Sequence, residues 1–143
     1  MHIRGFEALL RWDSQNLGSV SPVEFIPVAE ETGMIIPIGD WVLRKACETV
    51  LAMNQLHGTD YRMSINVSPV QLTQPQFVPQ LIELIASLGV KRDWIEIEIT
   101  ENVFLANVEG AVDTIKHLRQ ADISVSLDDF GTGYSSLSYL MDL

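Results

Sequence analysis

Four short stretches of the chain alternate residue by residue between apolar and polar side chains. Met63, Ile65 and Val67 alternate with Arg62, Ser64 and Asn66; Ile95, Ile97 and Ile99 with Glu96, Glu98 and Thr100; Ile123, Val125 and Leu127 with Ser124, Ser126 and Asp128. Residues 5–11 repeat the scheme, setting Phe6, Ala8 and Leu10 against Gly5, Glu7 and Arg11. A period of two sends successive side chains to opposite faces of a strand, so each stretch predicts a strand with one apolar and one polar face. Strands are expected over residues 3–12, 62–68, 94–100 and 123–128, with a turn at 13–18 after the first.

Between the strands the apolar spacing changes to three and four. Ser21, followed by Pro22 and by Glu24 three positions on, predicts a helix start, and Gly33 its end. Asp40 predicts the cap of a longer helix that carries Leu43, Ala46, Cys47, Val50 and Met53 on one face and stops at Gly58. Thr73 with Gln76 predicts the cap of a helix bearing Phe77, Leu81, Leu84, Ile85 and Leu88, closed by Gly89. A further helix from about Asn107 groups Val108, Ala111, Val112, Ile115 and Leu118. The segment Phe130-Gly131-Thr132-Gly133 leads into a last helical start.

Strands that alternate with helices of this length predict right-handed βαβ units and a parallel sheet. Central strands of a doubly wound sheet are apolar on both faces, which these are not. A TIM-type (β/α) barrel with a polar interior fits, and residues 1–143 supply about half of one, four strands of the eight in a domain of about 250 residues. No repeat or linker divides the chain.

Composition narrows the partners. The 143 residues are 47% hydrophobic and carry nineteen Asp and Glu against nine Lys and Arg, a net charge of −10 that repels duplex nucleic acid. A small phosphate ester stays open if metal ions invert the local sign. Cys47, the single cysteine, cannot form an internal disulfide and reads as a small apolar residue on a helix face. No apolar run nears the ~20 residues of a membrane span and the amino terminus lacks a signal-peptide pattern, so a cytoplasmic chain is expected. Trp12, Trp41 and Trp94 are expected in packing rather than as base-stacking platforms.

The candidate chemistry lies on the polar strand faces. Glu7, Asn66, Glu98 and Asp128 each stand near the carboxyl end of a different strand, and Asp129 follows at once. Strand ends of a parallel barrel converge, and carboxylates brought together repel unless a cation or a shared proton intervenes. The donors are all oxygen, with no His or Cys on these faces, which favours Mg²⁺ or Mn²⁺ over Zn²⁺. Five such groups exceed the needs of one magnesium ion, and two ions ~4 Å apart suit an in-line displacement at phosphorus. Alternation puts Arg11 on the same face, either forked onto a phosphate or in a rim salt bridge. Gly131-Thr132-Gly133 reads as a tight turn or, more weakly, as a phosphate cradle.

Glu7-Ala8-Leu9, within Glu-Ala-Leu-Leu-Arg-Trp, resembles the signature that names the EAL domains, bacterial phosphodiesterases that hydrolyse cyclic di-GMP. SPVEFIPVAEETG from Ser21 to Gly33, Ile65-Asn66-Val67-Ser68, Glu98-Ile99-Thr100-Glu101 and LDDFGTGYSSL from Leu127 to Leu137 resemble further blocks of that family in order and spacing. The resemblance implies a partial EAL domain that begins within the family's second strand and lacks the carboxyl-terminal strands. It implies Glu7, Asn66, Glu98, Asp128 and Asp129 as ligands of two Mg²⁺ or Mn²⁺ ions, with Glu7, Asp128 and Asp129 catalytic and Ca²⁺ inhibitory. It further implies Leu9 and Arg11 on the substrate, Glu101 steadying the loop from Asp128, and opening of cyclic di-GMP to linear pGpG. Sensory or GGDEF-type domains are expected beside such a domain, and a homodimer is expected of the chain, whose isolated activity should be weak or absent. The competing reading is a truncated module that binds nucleotide or protein without turnover.

Overall fold

The computed structural model describes residues 5–100, 102–103 and 108–128. Expectations resting on Glu101, Asp129 and the glycine-rich segment after it lie outside these residues, and Asp128 is placed by its backbone alone. In chain order, β1 (Gly5–Ala8) precedes a hairpin of β2 (Trp12–Ser14) and β3 (Gly18–Val20), followed by α1 (Pro22–Thr32) and α2 (Ile35–His57). Then come β4 (Arg62–Asn66), the single turn α3 (Pro69–Leu72), α4 (Phe77–Leu88), β5 (Ile95–Thr100), α5 (Val108–Gln120) and β6 (Ser124–Asp128). β1, β4, β5 and β6 form one parallel sheet in that order. Neighbours in the sheet therefore follow chain order, with helical crossovers between them, as in the wall of a barrel.

The period-two pattern sorts the sheet as expected. Met63, Ile65, Ile95, Ile97, Ile99 and Ile123 are buried in one cluster with Leu43, Cys47 and Val50 of α2, Leu81 and Ile85 of α4, and Ile115 and Leu118 of α5. Burial pushes the Cys47 thiol up to about 11, so it serves as a core residue. Glu96, Glu98, Ser124 and Ser126 occupy the opposite face half-buried, and Asn66 is exposed there. Lower on that face Arg62 and Glu96 approach to 3.9 Å, a solvated pair worth about 0–1 kcal/mol. β1 and β4 run close enough that a Cβ at Gly5 would strike the Arg62 carbonyl oxygen.

Several boundaries differ from the sequence expectation. The first strand ends at Ala8, and the chain leaves the β4 ladder to form the β2–β3 hairpin, closed by Ser14 Oγ accepting from the Leu17 amide at 3.2 Å. α1 has its expected cap, Ser21 Oγ accepting from the Val23 amide at 3.3 Å, and Gly33, Gly58 and Gly89 end their helices in the left-handed region. α2 starts at Ile35 and contains Asp40. Pro37 is tolerated in its first turn because amides there have no intrahelical acceptor to lose. The capping box forms at Ser68 and Gln71, and Thr73 ends α3. The turn directly after a strand is where an unpaired helix start needs that cap.

Candidate active site

The sheet register fixes where the candidate residues stand. Glu7 pairs with Ser64, Asn66 with Glu98, Glu98 with Ser126, and Thr100 with Asp128. From β1 to β6 the candidates thus advance by two residues, then none, then two, four in all over three strand steps. Strands of a TIM barrel tilt by ~36°, so a register partner on the next strand sits lower on the axis, and about one residue per strand restores the height. The staircase Glu7, Asn66, Glu98, Asp128 therefore runs close to level around the barrel rim.

Asn66 and Glu98 are the tightest juxtaposition. Adjacent strands lie ~4.8 Å apart, and these two side chains leave the same face in direct register. The Val67 amide donates to the Glu98 carbonyl at 2.9 Å, extending the ladder one residue past β4. Glu7, exposed on β1, lies one strand over and two residues lower in register. Among the described residues no three of His, Cys, Asp and Glu close on a single point. Asp128 follows in register at the end of β6, while Asp129 and Glu101 lie outside those residues.

Arg11, which strand alternation expects on the polar face, lies beyond the end of β1, as does Leu9. Both follow the last β1 pair, Ala8 with Ile65, so the two-residue period no longer governs their faces. Leu9 is 57% exposed, and Arg11 Nη1 donates to the neighbouring Leu10 carbonyl at 2.9 Å. Arg11 borders an open apolar groove of about 760 Å³ whose walls include Trp12, Phe25, Val28, Met34 and Trp41. Trp94 is buried as expected, whereas Trp12 and Trp41 are half-exposed, since no other described element covers that groove.

One part of the rim escaped sequence reasoning. Ser68, two residues beyond Asn66, donates its hydroxyl to Glu30 Oε2 of α1 at 2.5 Å. Its Oγ also accepts from the Val70 amide, and its own amide donates to Gln71 Oε1 at 3.1 Å. Gln71 is buried against Gly39 of α2, where a Cβ would overlap the Gln71 amide. The available signal was Ser68-Pro69-Val70-Gln71, a capping-box spacing with proline at the first helical position.

With this geometry in place, comparison with known proteins decides the family. The EAL domain family matches residues 1–143. The chain belongs to that family. It is 37% identical over 139 residues to the cyclic di-GMP phosphodiesterase PA2567 of Pseudomonas aeruginosa, covering 97% of this chain and 24% of that protein. The EAL enzyme Bd1971 in its cAMP- and cyclic-di-GMP-bound form superposes with a TM-score of 0.85 at 36% identity, over 96% of this chain and 38% of that one. The PaMucR phosphodiesterase in its cyclic di-GMP complex gives 0.86 at 34% identity, over 96% and 56%. This EAL chain thus spans less than two thirds of each of these relatives, and the four-stranded sheet of its described residues is an arc of their TIM-type barrel. No helix among its described residues is long and apolar enough to cross a membrane.

Proposed function

We propose that this chain contributes the metal-binding rim of a cyclic di-GMP phosphodiesterase. The observation that carries the reading is the in-register pair of Asn66, the last residue of β4, and Glu98 on β5, within the course from Glu7 to Asp128. The amide oxygen of Asn66 and the carboxylates of Glu7, Glu98, Asp128 and Asp129 are hard donors that suit two Mg²⁺ or Mn²⁺ ions. When bound, such ions activate water and neutralise charge at the scissile phosphodiester. The chain's own residues orient that reaction. Glu7, Asp128 and Asp129 supply the charge that retains the ions over the barrel mouth, Leu9 and Arg11 meet the substrate from the segment after β1, and Glu101 steadies the loop that carries Asp129. Water's oxygen bonds to phosphorus as one bond from phosphorus to a ribose 3′-oxygen breaks, that oxygen leaves as a hydroxyl, and linear pGpG results.

A binding-only module is the second reading, favoured by the chain spanning only part of the length of its relatives. Chromatographic assay of cyclic di-GMP with Mg²⁺, Mn²⁺ or Ca²⁺ separates the two, run on this chain and on a complete EAL barrel built to include it. The expected result is pGpG from the complete barrel with Mg²⁺ or Mn²⁺, inhibition by Ca²⁺ with its longer and looser coordination, and turnover at least ~100-fold lower from the isolated chain. Tight binding of cyclic di-GMP by the complete barrel with no product under any metal overturns the enzyme reading.

A further inference from the structure

We infer that Glu30 is a positioning residue for the metal-binding rim, setting Asn66 through Ser68 and Gln71; the inference rests on the metal site proposed above. Asn66 is the last residue of β4, and the two residues after it decide how the chain leaves the sheet. The Val67 amide holds the first of them to the Glu98 carbonyl at 2.9 Å. Ser68 is held from the other side by Glu30, whose Oε2 accepts its hydroxyl at 2.5 Å from across 38 positions of sequence. An ionised acceptor makes this bond about twice as strong as a neutral one. Ser68 is thereby oriented to cap α3, its Oγ accepting from Val70 at 3.1 Å while Gln71 Oε1 accepts from the Ser68 amide at 3.1 Å. Gly39 completes the device by leaving room on α2 for the buried Gln71 amide.

α1 therefore touches the rim only one turn of chain away from Asn66, although no residue of α1 belongs to the proposed ligand set. If Glu30 is removed, the Ser68 hydroxyl loses its acceptor, the turn loosens, and Asn66 no longer holds its level beside Glu98. The conservative Glu30→Gln keeps an oxygen acceptor at the same reach, so it should retain much of what Glu30→Ala loses.

The test uses the metal-free chain for amide hydrogen exchange by NMR and the same samples for Mn²⁺ titration by electron paramagnetic resonance. Glu30→Ala should speed exchange of the Val67 and Ser68 amides by about tenfold or more, with α4 amides unchanged. Ser68→Ala should do the same, the double variant should add nothing further, and Glu30→Gln should restore most of the protection. Mn²⁺ binding should weaken in the same order, by about tenfold for Glu30→Ala. Unchanged Val67 and Ser68 exchange in Glu30→Ala overturns the inference, as does additive loss in the double variant. If Glu30→Ala does not fold, Glu30→Asp, which draws the carboxylate back by one methylene and leaves the Ser68–Val70 cap bond in place, decides by the same criteria. An unsubstituted chain that binds no Mn²⁺ defeats the proposed metal site instead, and the exchange data on that chain still decide whether Glu30 sets the turn.

Discussion

Asn66 and Glu98 face each other in a parallel register, one on each of two adjacent strands, and the backbone bond from Val67 to Glu98 fixes that register at the rim. A neutral amide opposite a carboxylate places two oxygen donors side by side with a single negative charge between them. Two carboxylates at the same spacing would repel until a cation arrived. The pair is thus prepared for a divalent ion at less electrostatic cost than an acid pair.

Asn66→Ala and Glu98→Gln should each weaken Mn²⁺ binding by at least about tenfold, since each removes a proposed direct ligand. Titration of the chain by calorimetry checks this. In the complete barrel Glu7→Ala should abolish pGpG formation, and full activity of that variant at saturating Mg²⁺ would remove Glu7 from the site.

Gly39→Ala separates local order from global stability. Alanine raises helix propensity by about 1 kcal/mol, while the new Cβ displaces the Gln71 amide and breaks a cap bond of similar worth. The melting temperature should therefore move little while Ser68 amide exchange quickens markedly. Full retention of Ser68 protection would show that Gln71 finds another way to reach it.

The Trp94–Asp60 bond should be visible in the acid limb of stability. The Trp94 indole N–H donates to Asp60 Oδ1 at 2.9 Å, and this bond, followed by Lys91 at 3.5 Å, holds the Asp60 carboxyl below its ordinary 3.8. A depressed carboxylate stabilises the fold above the unfolded value and loses that contribution as pH falls through it toward the folded one. The gap between the unsubstituted chain and Trp94→Phe should therefore shrink as pH drops below about 4. Denaturant melts at neutral and acid pH measure it, and a gap independent of pH would place the whole effect in ring packing.

Self-association is expected of the isolated chain. Among the described residues the sheet ends at β1 and β6, and unpaired strand edges seek other strands. Phe6 and Leu9, at 42% and 57% exposure, add apolar surface at the β1 end. Light scattering at micromolar concentration should report a dimer or larger species, and a clean monomer would refute this.

What the sequence determined by itself was local. Alternation of Met63, Ile65 and Val67 with Arg62, Ser64 and Asn66 decides which strand face meets the helices, because successive side chains must point oppositely. Ser21 and the glycines at 33, 58 and 89 decide where helices begin and end, because caps act within a turn of their own position. The departures came where two local patterns competed. Leu10 continues the alternation begun by Phe6, yet the ladder ends at Ala8 because the hairpin of β2 and β3 claims the following chain. Ser68 and Thr73 both head a capping spacing, and only the exit from β4 favours Ser68. Tertiary structure alone decided the stagger that levels Glu7, Asn66, Glu98 and Asp128, and the bond from Glu30 to Ser68. Both depend on pairings between residues far apart in the chain, for which a sequence offers matching faces but no register, since register is set by how tilted strands and packed helices fit together in space.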